Sequence, residues 1–167
     1  MSAADSSGAP SATRLAQIEW LGRTCGESLS QVLEALTGER AAVSWGEGAP
    51  QGSAAGAALR WRQDFGLGAG AAVLATLAAD SWRKIGARVL GAAGVEEPGE
   101  QESRNTCLEV LSQSFAGLQK AIEQRTGRAV ASAGQEAENW PEAERAGSLK
   151  IVHPDGLESS VELACTP

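Results

Sequence analysis

Apolar side chains recur every three or four positions from residue 15 onward: Leu15, Ile18, Leu21, Cys25, Leu29, Leu33 and Leu36. That period predicts one long helix with a single oily face over about seven turns. Ser11 is placed to cap its start. Thr37-Gly38 stops it, because glycine takes a left-handed terminus without steric cost. The period then changes to two. Arg40–Trp45 reads as a short strand, followed by a loop through "GEGAPQGSAAG". In "AALRWRQDF", Leu59, Trp61, Gln63 and Phe65 face one way and Arg60, Arg62 and Asp64 the other. Gly66–Gly70 is a turn, and "AAVLATLA" is a strand apolar enough to be covered on both faces.

Asp80 is placed to cap a second helix that carries Trp82, Ile85 and Val89 on one side. "AAGVEEPGEQE" reads as a polar linker. A long helix follows from Asn105 and ends at Thr126-Gly127. "RAVASAG" is then a strand and Gln135–Gly147 a loop. "SLKIVHPDGLESSVELAC" is a strand, a Pro-Asp-Gly turn and a second strand. In that last arm Leu157, Val161 and Leu163 point inward, while Glu158 and Glu162 point out.

The two halves echo one another. "SLSQVLEALTGERAAVS" parallels "GLQKAIEQRTGRAVAS": Leu29 falls with Leu118, Leu33 with Ile122, Glu34 with Glu123, and Thr37-Gly38 with Thr126-Gly127. Downstream, "ALRWR" aligns with "SLKIV". Each half is a long helix, a glycine stop, a strand and a hairpin. The expected fold is α+β with pseudo-twofold duplicated halves. Two long helices pack on one face of a mainly antiparallel sheet of about six strands, and the middle helix joins the halves.

Composition narrows the chemistry. The 167 residues suit one domain (11–167) behind a small, polar tail (1–10) expected to be disordered. A net charge of −7 without a Lys/Arg-rich stretch argues against nucleic acid as a partner. No apolar run is long enough for a membrane span, and the first residues lack a signal-peptide pattern. The three cysteines have no metal-ligand spacing and read as buried thiols of a cytoplasmic protein. The single histidine, His153, flanks the Pro-Asp-Gly turn and reads as exposed. The string G-L-G-A-G lacks the full dinucleotide-binding spacing and reads as a hairpin turn.

The most informative element is the long third helix. With Leu111 set at zero and about 100° per residue, Leu108, Phe115, Leu118 and Ile122 fall within about 60° of it and form the core stripe. Glu109, Gln113, Ala116 and Lys120 fall within about 40° of the opposite pole. Glu109 and Gln113 are therefore one turn apart on the exposed side. Thr106, Ser112, Ala116 and Gly117 keep the surroundings small, so another protein could approach closely. Glu and Gln are also ordinary helix-surface residues.

The order helix, glycine stop, strand, hairpin, helix, long helix, strand, hairpin is similar to the CheC/CheX/FliY group of chemotaxis proteins. The duplicated half is similar too. "GAGAAVLATLAADSWRKIGARVLG" resembles that group's strand and short helix, and "NTCLEVLSQSFAGLQKAI" its motif helix. The likeness spans about residues 15–165 and is nearest to CheX, which carries one motif, in the second half. The resemblance implies a helix that docks on a phosphorylated CheY-type response regulator. An acid contacts the receiver's lysine, and an asparagine three residues later orients water for attack on the aspartyl phosphate. Glu109 matches the acid. Ser112 occupies the asparagine position, a departure from the motif, and Gln113 stands one residue beyond it. An acid and an amide at i, i+4 resemble the pair in CheZ, an unrelated phosphatase of the same receivers. Asn105, Thr106, Ala116 and Lys120 would flank the contact, and Pro141 matches the family's later proline only loosely. The resemblance implies no intrinsic cofactor and no metal of the chain's own, with any Mg²⁺ belonging to the receiver, and it leaves a homodimer possible. Two non-catalytic readings stand beside the phosphatase: a receiver-binding protein, and an assembly domain like those of the flagellar switch.

Overall fold

The computed structural model describes residues 12–46, 58–66, 72–137 and 144–165. In chain order the elements are α1 (Ala12–Thr37), β1 (Ala42–Gly46), β2 (Leu59–Phe65), β3 (Ala72–Leu77), α2 (Ala79–Ala92), α3 (Glu100–Thr126), β4 (Ser132–Glu136), β5 (Glu144–Val152) and β6 (Glu158–Cys165). The six strands form one sheet in the order β1-β5-β6-β3-β2-β4, and every neighbouring pair is antiparallel. Read backwards, that order exchanges β1 with β4, β5 with β2 and β6 with β3. The pseudo-twofold axis thus passes between β6 and β3, and each half lends its first strand to the other half's hairpin. The fold is the α+β arrangement expected from the duplicated pattern.

The core lies on one face of that sheet. Leu59, Phe65, Val73, Ala75, Leu77, Leu149, Ile151, Val161 and Leu163 all belong to it, and all are odd-numbered. This is the alternation a pleated strand imposes. Helical residues cover them: Cys25, Leu29 and Leu33 from α1, Trp82, Ile85 and Val89 from α2, and Cys107, Val110, Leu111, Phe115, Leu118 and Ile122 from α3.

The repeated helix ends are built alike. Gly38 and Gly127 both have positive φ, at 75° and 67°. Each donates its N–H to a carbonyl four residues back, on Glu34 and Glu123. The threonines before them donate to Leu33 O at 2.6 Å and Ile122 O at 2.9 Å. Next to the caps, Ser30 donates to Ala41 O and Gln119 to Val130 O, 89 positions later in both members. The sequence echo is therefore a structural one.

Several expectations are corrected. Asp80 is not the cap of α2: the N-cap is Ala78, with no side-chain hydrogen bond, and Asp80 pairs instead with Lys84 one turn on. Helix α3 begins at Glu100, inside the expected linker, because Gly99 provides an extended N-cap and Glu100 and Glu102 favour the first turn. Strand β4 starts only at Ser132 and runs through Gln135–Glu136, and β5 begins at Glu144, so both ends of the expected loop 135–147 are strand. Leu157 is 50% exposed, not inward, because it precedes β6 in the turn. The oily face of α1 is fully buried only at Cys25, Leu29 and Leu33; Ile18 and Leu21 are half-buried, and Leu15 and Leu36 are exposed at 42% and 36%. Ser11, the tail 1–10, most of the Gly66–Gly70 turn, Trp140 and Pro141 lie outside the described residues.

The hairpin alignment is also corrected. With the helices matched 89 positions apart, Ala42 corresponds to Ala131. Ala42 sits opposite Val152, whereas Ala131 O accepts from Gly66 N. Val152 therefore corresponds to Gly66, four residues from the Arg62 that the alignment of "ALRWR" with "SLKIV" implied. A slip of four leaves the inward and outward faces unchanged, so the apolar pattern cannot detect it.

Candidate functional site

Helix α3 is clamped from three sides. Its inner face lies in the core, α2 crosses it so closely that a Cβ on Gly86 would collide with the Ser103 backbone, and α1 crosses it at Ser28. At that second crossing Ser28 Oγ donates to Ser114 O at 2.7 Å, and a Cβ on Gly117 would strike the same hydroxyl. Farther along, the Arg125 guanidinium stacks on the Trp20 ring of α1 at 4.6 Å. These two contacts fix α1 and α3 as antiparallel neighbours.

The outer side of this braced helix carries the expected residues. Asn105, Glu109, Ser112, Gln113, Ala116 and Lys120 are exposed, while Thr106 is half-buried beside the α2 crossing. Gln113 Nε2 donates to Glu109 Oε1 at 3.0 Å. About two turns before, Gln101 Nε2 donates to Asn105 Oδ1 at 3.0 Å. The result is a ladder of two separate i, i+4 pairs, each joined by its own hydrogen bond. Gln101 was not singled out by sequence, although the same spacing would have found it. Ser112 lies on the same exposed side but takes no part in the ladder's hydrogen bonds. Eight residues from the Ser28–Gly117 crossing, in opposite directions, stand Glu109 and the exposed Leu36. An apolar side chain is thus level with the carboxylate on the neighbouring helix.

Sequence missed a second feature. A groove of about 590 Å³ runs between α1 and β1. Arg23, Gly26, Glu27 and Ser30 line it from the helix, Arg40 and Ala41 from the segment before β1, and Ala42–Trp45 from the strand. Nothing in the local pattern announces it, because it depends on how closely a helix and an edge strand approach.

The remaining chemistry-bearing residues serve the scaffold. His153, expected at the surface, is 3% exposed and shares a hydrogen bond with Ser159 at 3.1 Å across the β5–β6 turn. Burial and the nearby Arg88 and Lys84 push its pKa below the ordinary histidine value, against the opposing pull of Asp155. Asp155 is itself held below the usual carboxylate range by the Arg88 guanidinium and the Leu157 N–H. Burial raises the Cys25 and Cys107 thiols to about 12, so both are inert packing groups. Cys165 is partly buried, and none of the three cysteines forms a disulfide. Among the described residues, no helix is long and apolar enough to cross a membrane.

No family model and no curated protein sequence matches this chain. Solved structures do. FliY of Thermotoga maritima superimposes with a TM-score of 0.67 at 11% identity, covering 94% of this chain and 91% of that one. The middle domain of FliM from H. pylori gives 0.61 at 12% identity, covering 95% and 94%. CheX in the CheX-CheY-BeF3-Mg²⁺ complex from Borrelia burgdorferi gives 0.55 at 13% identity, covering 87% and 97%. The chain has the fold of the CheC/CheX/FliY group. Among these three, FliY and FliM superimpose more closely than CheX.

Proposed function

We propose that the outer face of α3 docks on the receiver of a CheY-type response regulator and that Glu109 and Gln113 hydrolyse its aspartyl phosphate. The observation that carries this reading is the Glu109–Gln113 pair itself: exposed, hydrogen-bonded, and on a helix immobilised by two close crossings. A rigid rod matters because hydrolysis of an acyl phosphate is chiefly a matter of placing water in line and spreading charge. Glu109 supplies the carboxylate for the receiver's lysine. The Gln113 N–H is engaged by Glu109, which turns the amide and leaves its carbonyl oxygen to accept a hydrogen bond from water. That water attacks phosphorus, and the bond to the aspartyl oxygen breaks. The aspartate carboxylate and inorganic phosphate are the products. Glutamine performs an equivalent water-orienting task in small GTPases. Leu36 would add apolar contact beside the carboxylate, with Asn105, Ala116 and Lys120 along the helix.

The test is decay of the phosphoryl group on receivers charged with acetyl phosphate. The wild-type chain should accelerate it. Gln113→Ala should abolish the acceleration while binding persists, and Glu109→Ala should weaken binding. An unchanged rate in Gln113→Ala sinks the catalytic role.

A second reading has its own support: a docking domain without catalysis. Ser112 stands where an amide would be needed, and a hydroxyl is too short to replace it. In this case the wild-type chain binds a partner through α3 and leaves phosphoryl decay unaltered.

A further inference from the structure

We infer that the groove between α1 and β1 is a strand-addition site for an extended, acidic peptide segment of another protein. The groove touches all five consecutive residues Ala41–Trp45. Successive side chains of a strand point to opposite faces. A groove in contact with every residue therefore runs along the strand's edge and not over one face. Among the described residues that edge is open, because β1 is the end strand of the sheet and pairs only with β5.

Edge strands are normally protected by charge, proline or a bulge. The opposite edge, β4, ends in Glu136, which is paired with Arg104. Strand β1 is Ala-Val-Ser-Trp-Gly, with no charge and no proline. On the wall beside it, Gly26 and Ser30 of α1 stand where α3 has Phe115 and Gln119; Gly26 packs closely on Val43 and Leu149, and Ser30 donates to Ala41 O. An incoming strand would gain main-chain hydrogen bonds from the edge and place alternate side chains against α1.

Charge identifies the occupant. On a protein of net charge −7, the groove's charged lining is Arg23 and Arg40 against a single acid, Glu27. Both arginines are well exposed, at 68% and 62%, and their present partners Glu19 and Glu34 are surface ion pairs. Such pairs exchange at little cost. Acidic side chains on the incoming strand would replace them.

The experiment selects heptapeptides from a random phage library on the immobilised full-length chain. Enriched peptides should carry Asp or Glu and should perturb the amide resonances of Ala42–Gly46. Their affinity should fall at least about tenfold in Arg23→Glu/Arg40→Glu, two surface changes outside the core. Only every second N–H of an added strand faces β1. Methylating one alternate set of peptide nitrogens should therefore abolish binding, and methylating the other set should leave it. Four results overturn the inference: no enrichment over a blank surface, equal loss from both methylated sets, binding that survives charge reversal, or self-association of the chain through β1. A tenfold gain on deleting residues 1–11 would also overturn it, by making the chain's own N-terminal segment the occupant.

Discussion

The two edges of the sheet solve one packing problem with opposite choices. At the β1 edge, the edge strand supplies the large residue: Trp45 lies over Gly147 of β5 and against Gly22 of α1. At the β4 edge the assignment is reversed. Trp61 of the inner strand β2 lies over Gly134 of the edge strand. On the helices, Gly22, Gly26 and Ser30 of α1 correspond to Leu111, Phe115 and Gln119 of α3. A duplicated scaffold thus keeps its strand order and helix caps while each copy redistributes volume between helix and strand. The copies also differ farther out, where the half-buried Trp20 of α1 stands at the position of the exposed Glu109 on α3. Strand order and helix caps are common to both copies, whereas the packing volumes and the outer faces differ.

The strongest way to break this comparison is to force one copy's solution onto the other. Gly22→Leu gives α1 the residue that α3 has at the corresponding place. Any Cβ there collides with the Trp45 ring, so the substitution should destabilise the fold by about 3 kcal/mol, the upper range for overpacking. Trp45→Ala alone should cost a similar amount through lost burial. The double variant should lose less than the two effects added, because removing the ring makes room for the leucine. Additive losses in urea denaturation would show that glycine and tryptophan are not exchanged as a unit.

A smaller effect separates the two tryptophans. Trp61 Nε1 donates to Gln63 Oε1 at 3.0 Å, and Gln63 Nε2 in turn donates to Ser132 across the sheet at 2.5 Å. The Trp45 indole N–H is buried with no partner among the described residues. Each Trp→Phe change removes similar apolar area, but only Trp61→Phe also breaks a hydrogen bond and leaves an acceptor behind. It should cost about 1 kcal/mol more than Trp45→Phe. Equal melting shifts would contradict the asymmetry.

The same asymmetry shows why parts of the molecule are legible in sequence. Gly38 and Gly127 announce helix ends because a left-handed terminus is a local requirement, met within five residues. Leu59–Phe65 announces a strand because alternation needs no partner. The outward position of Glu109 and Gln113 follows from the α3 stripe alone. By contrast, the four-residue slip between the hairpins preserves every inside-outside pattern and is decided by Ala131 meeting Gly66. His153 reads as a turn residue, yet it is buried by Ser159 and by elements distant in the chain. The Trp45 contacts, and with them the groove, arise where α1, β1 and β5 meet. Local rules cover single elements, and these features belong to contacts between elements.

Titration provides a milder probe, since the chain's one histidine lies in the second copy. Burial, Arg88 and Lys84 lower the His153 pKa in the folded state below its ordinary 6.5. The unfolded chain therefore binds the proton more readily. The stability contributed by neutral His153 is complete above about pH 6.5 and declines as pH falls below it toward the lowered folded value. The loss should appear first as faster amide exchange in the β5–β6 hairpin. His153→Gln, which keeps a polar partner for Ser159, should flatten this dependence below pH 6.5. Faster exchange in β2 and β3 instead would place the titrating weakness in the wrong copy.

The smallest stability effect falls on the residues with the proposed task. An exposed amide–carboxylate pair at i, i+4 contributes only about 0.2–0.5 kcal/mol to a helix. Glu109→Ala and Gln113→Ala should therefore shift the melting temperature by no more than a degree or two for a domain of this size. Trp20→Ala on α1, which removes the stack under Arg125 and part of the surface between the helices, should cost more. The functional ranking should be the reverse. If α3 alone carries the receiver contact, Gln113→Ala eliminates phosphoryl release and Trp20→Ala leaves it intact. If both copies dock, the two variants weaken binding together, and the specialised outer face assigned to α3 would have to be shared with α1.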